Sequence, residues 1–478
     1  MPETLDPTAK QDHIAAPRHG GGEPEAADDD FSLAQDFVTE VAAALRSDDR
    51  SQVGALVHDL HYADMADLLE RLDPEDRRLL IEDIREDFNA DILPELAQEV
   101  REEVMEALGF EDFAVALTEL DSDDAVYVAG KLDPEELAQV LARMPQASRM
   151  LIEQSLAYDE DSAARLMQRE LVAVPNYWTV GETIDYLRAA QNIPEKFYGV
   201  FVVDPRHRPQ GMADLARVLR SKRPVRMRDI IDPESESIPA DTHREDVAFL
   251  FRQRDLTSAP VVDKSGRLIG QITIDDVVDV IEEEASEDIL KMAGVRDTED
   301  SSLYRTIMAT AQSRFWWLFV NLGTAFLASS VIGLFEHSIE KLAALAVLMP
   351  ICASMGGNAG TQTLVTVVRS LATRDLNPSN VWRVGWRETL VCAINGLLFA
   401  ALTGLIAYLW FRDPLLAIVI AGAMILNLIA AGIAGMTIPL ILSKLGADPA
   451  DSAVVFLTTV TDVVGFFSFL GLATWIML

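Results

Sequence analysis

A chain of 478 residues with 76 acidic against 40 basic side chains carries a formal charge of −36, which excludes nucleic acid and anionic lipid as partners of its charged part and favours cations. The charge is uneven: residues 314–478 hold eight basic and eight acidic side chains, so the first 313 positions carry the whole excess and the last third is neutral and apolar. Only Cys352 and Cys392 occur, both inside apolar runs, which excludes a disulfide framework and a cysteine-based zinc site.

Residues 1–30 have no apolar signal region and read as a disordered Gly- and Asp-rich tail, so the N-terminus is expected in the cytoplasm. Residues 31–164 read as short amphipathic helices, with Leu68, Leu69 and Leu72, then Leu79, Leu80 and Ile84, at helical spacing. Asp73-Pro74-Glu75 and Asp133-Pro134-Glu135 repeat one helix start: Asp at the N-cap, Pro at the first position, acid in the first turn. An all-α superhelical N-domain of stacked hairpins with weak internal repetition follows. His58 and His61 lack a third ligand and read as surface residues.

From about residue 165 strands alternate with helices. The order is clearest in the second of two copies: helix Arg244–Arg254, strand Ala259–Val262, an Asp263-Lys-Ser-Gly266 turn, strand Arg267–Ile274, helix Asp275–Glu284. That order resembles a CBS domain, with a weaker copy around the apolar run Tyr198–Val203. Boundaries at 165–235 and 236–285 give a tandem α/β pair. Residues 286–313 predict a polar connecting helix, a plug ahead of the membrane domain at 314–478. Five apolar stretches near 315–335, 342–368, 389–411, 415–442 and 453–477 are each long enough to cross a bilayer. Arg369, Arg374, Arg383 and Arg387 gather in one loop, which the positive-inside rule places in the cytoplasm and which sends Leu478 outside.

Three features carry chemistry. Asp462, in Thr458-Thr-Val-Thr-Asp-Val-Val-Gly465, is the only charge well inside a predicted span, and no basic residue lies within any span to pair with it. Such a carboxylate normally faces a watery path or a partner. The stretch Met349–Gln362 holds Pro350, Gly356, Gly357 and Gly360 beside Asn358 and Gln362. It predicts interrupted backbone lining a cavity, with close helix packing as the competing reading. The acid run Asp275, Asp276, Asp279, Glu282, Glu283, Glu284, Glu287, Asp288 either bridges divalent ions or is a solvated face. Oxygen-only donors, and a loose site built from two copies of Asp462 across a dimer axis, suit hydrated Mg²⁺. Neither a Walker A sequence nor a His-Glu-x-x-His is present, and nothing suggests an enzyme.

The order of parts, the Pro-x5-Gly-Gly-Asn-x-Gly-x-Gln block and the late Thr-Thr-x-x-Asp together resemble the MgtE family of magnesium channels from residue 31 onward. The resemblance implies a homodimeric, Mg²⁺-selective plasma-membrane channel that cytoplasmic Mg²⁺ closes. It carries the pore site to Asp462, shaped by Gly357 and Asn358, and the sensor to Asp276, Asp279, Glu287 and Asp288. Thr273 and Asp276 match the Thr-x-x-Asp of nucleotide-binding CBS domains, which makes ATP or another adenine nucleotide a candidate cofactor beside Mg²⁺. Two departures stand out: Ala453–Leu457 lacks the Pro often found before Thr-Thr, and Gln210–Asp214 lacks the Thr-x-x-Asp. A secondary divalent-cation exchanger on the same scaffold and a membrane-anchored sensor without transport are the alternatives.

Overall fold

The computed structural model describes residues 33–194, 196–232, 236–295, 307–377, 379–450 and 453–478; the expected tail at 1–30 and most of the expected helical stretch Leu303–Met308 lie outside them. Two compact units are present: residues 33–120 with 127–150, and residues 121–126 with everything from 151 onward. Helices α1 (Gln35–Arg46), α2 (Arg50–Val57), α3 (Tyr62–Arg71), α4 (Pro74–Ile84), α5 (Ile92–Glu95), α6 (Gln98–Glu119) and α8 (Pro134–Leu141) lie in the first unit, while α7 (Ser122–Gly130) and α9 (Gln146–Leu156) contribute to both. Asp73 and Asp133 are the N-caps of α4 and α8, each followed by Pro at the first helical position.

A buried arginine exposes the repeat that composition only hinted at. Arg77, 3% exposed, donates to the carbonyls of Leu69 at 2.7 Å and Leu72 at 3.0 Å, at the end of α3. Arg101, 4% exposed, donates to those of Leu93 at 2.9 Å and Leu96 at 2.6 Å, at the end of α5. In both, the guanidinium satisfies carbonyls that a helix end leaves orphaned and sits where the helix dipole favours a cation.

The second unit holds two copies of one α/β motif. In the first, β1 (Ala173–Pro175) runs parallel to β2 (Gly199–Val203), which pairs antiparallel with β3 (Pro209–Asp214), accompanied by α10 (Val180–Ala189) and α11 (Leu215–Arg220). In the second, β4 (Ile238–Pro239), β5 (Ser258–Val262) and β6 (Leu268–Thr273) pair identically, with α12 (Arg244–Arg254) and α13 (Ile274–Met292). The hairpin turns match as well: Asp204 accepts from the amides of Arg206 and Arg208, and Asp263 from those of Ser265 and Arg267. Those amides hold both carboxyls below their usual range. The left-handed position that the turn requires is His207 in one copy and Gly266 in the other.

Helix α13 continues without a break past residue 285, so the second CBS copy and the start of the expected connector are one element. Then come α14 (Ile307–Gly333), a short α15 (Glu336–Lys341), α16 (Ala344–Ala372), α17 (Val381–Phe411), α18 (Pro414–Lys444) and α19 (Ala453–Met477). Five of these, α14 and α16 to α19, are long and apolar enough to cross a membrane. Helix α18 packs against α16, α17 and α19, and α14 lies against α19. The interrupted backbone expected at Met349–Gln362 is not found. Helix α16 is continuous through Pro350 and the glycines, because those small residues let α18 and α19 approach closely, as the competing reading had it.

Replacing Arg101 by Met strands the carbonyls of Leu93 and Leu96. The expected cost is about 2–4 kcal/mol, read as a lower thermal midpoint of the helical N-domain, with Arg101→Lys restoring only part of it.

Candidate ion site and the acid-lined helix

Asp462 sits in the third turn of α19, half-buried, and among the described residues no hydrogen bond or ion pair engages its carboxylate. The preceding Thr461 is fully buried and lies against α16: a Cβ on Gly357 would stand 4.0 Å from the Thr461 hydroxyl oxygen, leaving that position open. Asn358, the next residue, has an exposed side chain that makes no hydrogen bond among the described residues. Hydroxyls of Thr458 and Thr459 donate to the Val455 carbonyl at 3.1 and 2.7 Å. With their protons turned inward, their lone pairs remain free to accept from water or to face a cation.

Two residues of this region escaped the sequence reading. Asn427 of α18 is fully buried; its Nδ2 donates to the Cys352 carbonyl of α16 at 2.8 Å, and its Oδ1 has no partner. It fits because Gly356 and Gly465 lack side chains: a Cβ on either would collide with the amide, at 2.8 Å from Nδ2 in the case of Gly465. One amide thus joins α16, α18 and α19 a turn away from Asp462, and a lone Asn in an apolar helix is the signal that marks it. Glu388, placed just outside the third span, lies within α17 and is 9% exposed, with Arg387 at 3.5 Å.

The acids on α13 divide into two places. From Asp276 to Glu287 is eleven residues, about 16 Å of helix rise, so the four sensor candidates are not one cluster. Among the described residues no group of three or more His, Cys, Asp or Glu side chains is arranged to hold a metal. At the N-terminal end the Thr273 hydroxyl donates to Asp276 at 2.8 Å and accepts from Gln168 Nε2 at 3.3 Å; Gln168 also reaches Asp123 at 3.4 Å. Burial pushes the Asp276 carboxyl up to about 7 against the Thr273 hydrogen bond, with Asp275 and Asp124 adding repulsion. Asp123, 7% exposed, is raised well above its usual range by burial first and then by Asp276 and Asp124. A contact 45 residues distant from Gln168 in the chain, as Asp123 is, leaves no sequence signal.

At the other end Glu287 pairs with Lys291 and approaches Arg244 at 3.7 Å, while Lys291 donates to Asp448, between α18 and α19, at 2.7 Å. Asp288 is pushed up to about 6 by partial burial and by Asp448, against the pull of Lys291. Asp279 lies between the two places and is exposed. A further contact ties this CBS copy to the membrane helices: Arg374, just beyond α16, pairs with Asp246 and lies 4.3 Å from the centroid of the Phe249 ring, both on α12. Thr273, proposed to meet nucleotide, is 5% exposed and engaged by Gln168 and Asp276.

Five helices long and apolar enough to cross a membrane, a half-buried carboxylate on the last of them and two CBS-like α/β motifs ahead of them fit an integral membrane protein that handles cations. Three family models match: a divalent cation transporter domain over 349–472, an MgtE intracellular N domain over 60–161 and a CBS domain over 227–283. The magnesium transporter MgtE of Thermus thermophilus is 31% identical over 444 residues, covering 92% of this chain and 98% of that one. Its namesake from Bacillus subtilis is 27% identical, covering 92% and 97%. A solved structure described as the cytosolic domain of the Mg²⁺ channel MgtE in complex with ATP is 29% identical, with a TM-score of 0.48, over 51% of this chain and 99% of that one. The chain belongs to the MgtE family of magnesium transporters.

The raised carboxyls give a pH signature. Between about pH 4 and pH 7 the folded protein holds a proton at Asp276 that the unfolded chain has released, and Asp123 is raised in the same direction, so the contribution to stability is greatest on the acid side and is lost as pH rises to about 7. In Mg²⁺-free buffer the thermal midpoint of the CBS region should drop between about pH 5 and pH 7 and level off above that, and Asp276→Asn should flatten that slope. A midpoint that rises over this interval would contradict the assignment.

Proposed function

We propose that this protein is a Mg²⁺-selective channel of the plasma membrane, working as a homodimer with a cytoplasmic N-terminus and an external C-terminus, and that cytoplasmic Mg²⁺ closes it. The observation that carries the reading is the carboxylate of Asp462, without a partner among the described residues and next in the chain to Thr461, which faces the open position at Gly357. Mg²⁺ releases its water reluctantly and accepts oxygen ligands, so a site for it must offer charge and acceptors without stripping the ion. Asp462 supplies charge, the threonine hydroxyls and the Asn358 amide supply oxygen, and the missing side chain at Gly357 leaves room for the hydration shell. Two copies of the chain would double the charge while keeping binding loose enough for conduction. The exposure of Asn358 on the single chain leaves it available to that second copy.

Closure is assigned to Asp276, Asp279, Glu287 and Asp288. Held apart on one rigid helix, these acids must take their remaining ligands from neighbouring elements, and that arrangement lets an ion discriminate between two conformations. Helix α13 reaches the membrane helices through Lys291 and Asp448, so a change in its position would be felt at the mouth of the bundle. An adenine nucleotide, with ATP the first to test, would meet Thr273 and Asp276 at the N-terminus of α13 after displacing Gln168.

With purified protein in liposomes, Asp462→Asn and Gly357→Leu should each lower Mg²⁺ flux by roughly tenfold or more. Gly357→Ala, which has space for its methyl group, should retain flux, and unchanged flux in Asp462→Asn would sink the pore assignment. Neutralising Asp276, Asp279, Glu287 and Asp288 together should leave a channel that conducts at internal Mg²⁺ levels that silence the parent. A variant that still closes at the parent's level places the sensor elsewhere. Flux that follows a pH or Na⁺ gradient would favour a coupled exchanger.

A further inference from the structure

Arg244 is the first residue of α12, a position where the helix dipole favours acids, and its side chain is only 15% exposed. Its own amide donates to the Asp161 carbonyl at 2.7 Å, which fixes the helix start against the 159–161 turn. Four carboxylates surround the guanidinium: Glu284 at 2.7 Å, Glu283 at 3.1 Å, Asp161 at 3.2 Å and Glu287 at 3.7 Å. One positive charge therefore joins the turn before the CBS pair to the middle turns of α13. Without it, four acids would face one another across that junction, with Lys291 relieving Glu287 alone.

A planar guanidinium with five donors can serve several carboxylates at once and is weakly hydrated, whereas Mg²⁺ must keep or lose water to do the same. We infer that Arg244 is a resident cation: it fills the place between the 159–161 turn and α13 that a divalent ion would otherwise have to fill, and thereby sets how much Mg²⁺ closure requires. The second half of this inference rests on the gating reading above, and the first half does not. Glu283, Glu284 and Asp161 are held by Arg244 at all Mg²⁺ concentrations on this account, its one charge offsetting part of theirs, which leaves Mg²⁺ to act on the acids that Arg244 holds loosely, as Glu287 at 3.7 Å, or does not reach, as Asp276 and Asp288.

The test uses full-length protein and MgCl₂. In detergent, Arg244→Ala should lower the thermal midpoint without Mg²⁺ and make it climb with added Mg²⁺ more steeply than in the parent, because the vacated acids now recruit the ion. Arg244→Lys should fall between the two, and Glu283→Gln with Glu284→Gln in the Arg244→Ala background should abolish the added Mg²⁺ response. In liposomes the Mg²⁺ concentration that half-closes Arg244→Ala should rise by about fivefold or more. If Arg244→Ala does not fold, Arg244→Gln, which retains donors but no charge, carries the same comparison. A charge-removing variant whose midpoint responds to Mg²⁺ as the parent's does would overturn the inference. A parent that never closes with Mg²⁺ would sink the gating reading, while the midpoint comparison would still decide the role of Arg244.

Discussion

A half-buried carboxylate inside an apolar helix, with no ion-pair partner among the described residues, is the constraint on which the apolar bundle turns. Leaving Asp462 in a dry interior would cost a few kcal/mol or more, so its surroundings must admit water or an ion. Continuous helices satisfy their own backbone, which leaves side chains to build the polar lining. That explains the division of labour among the helices. Small residues on α16 and α19 bring the backbones together, Asn427 joins three helices by one amide, and threonine hydroxyls turn their protons inward.

Helix α13 is held along its length by contacts with several neighbouring elements. Nineteen residues make a rod about 28 Å long whose start is held by hydrogen bonds and whose flank and last turn are held by charge. Its start meets Gln168 through Thr273 and faces Asp123, its flank meets Arg244, and its last turn meets Asp448 through Lys291. Because the helix is unbroken from Ile274 to Met292, displacement at one of its ends need not be absorbed along its length. The Arg374 contact with Asp246 and Phe249 gives the same domain a second hold on the membrane helices. Both holds use ionic groups near solvent, where each is worth little alone and the set can be rearranged by ions.

Local chemistry explains which elements were legible. The starts of α4 and α8 could be read because Asp-Pro-Glu writes cap, fixed φ and dipole into three adjacent residues. The second CBS hairpin declared itself through Gly266, whereas the first, with His207 at the same left-handed position, carried a fainter signal for an equally complete motif. At Met349–Gln362 residue types suggested broken backbone, and packing decided otherwise. Helix propensity counts glycine as a cost, but against α18 and α19 the absence of a side chain is what permits contact.

By itself the sequence determined what depends on near neighbours and on totals: the acidic and apolar halves, the five long apolar helices, the CBS order and the isolation of Asp462 within its span. Tertiary structure alone decided what depends on residues remote in the chain. It placed Gly357 against Thr461 and Asn427 against Cys352. It also set Asp123 beside Asp276, Arg244 among four acids and Lys291 on Asp448. The physical reason is that charge and hydropathy are properties of residues and runs, whereas burial, repulsion and hydrogen bonding are properties of pairs whose members only the fold brings together.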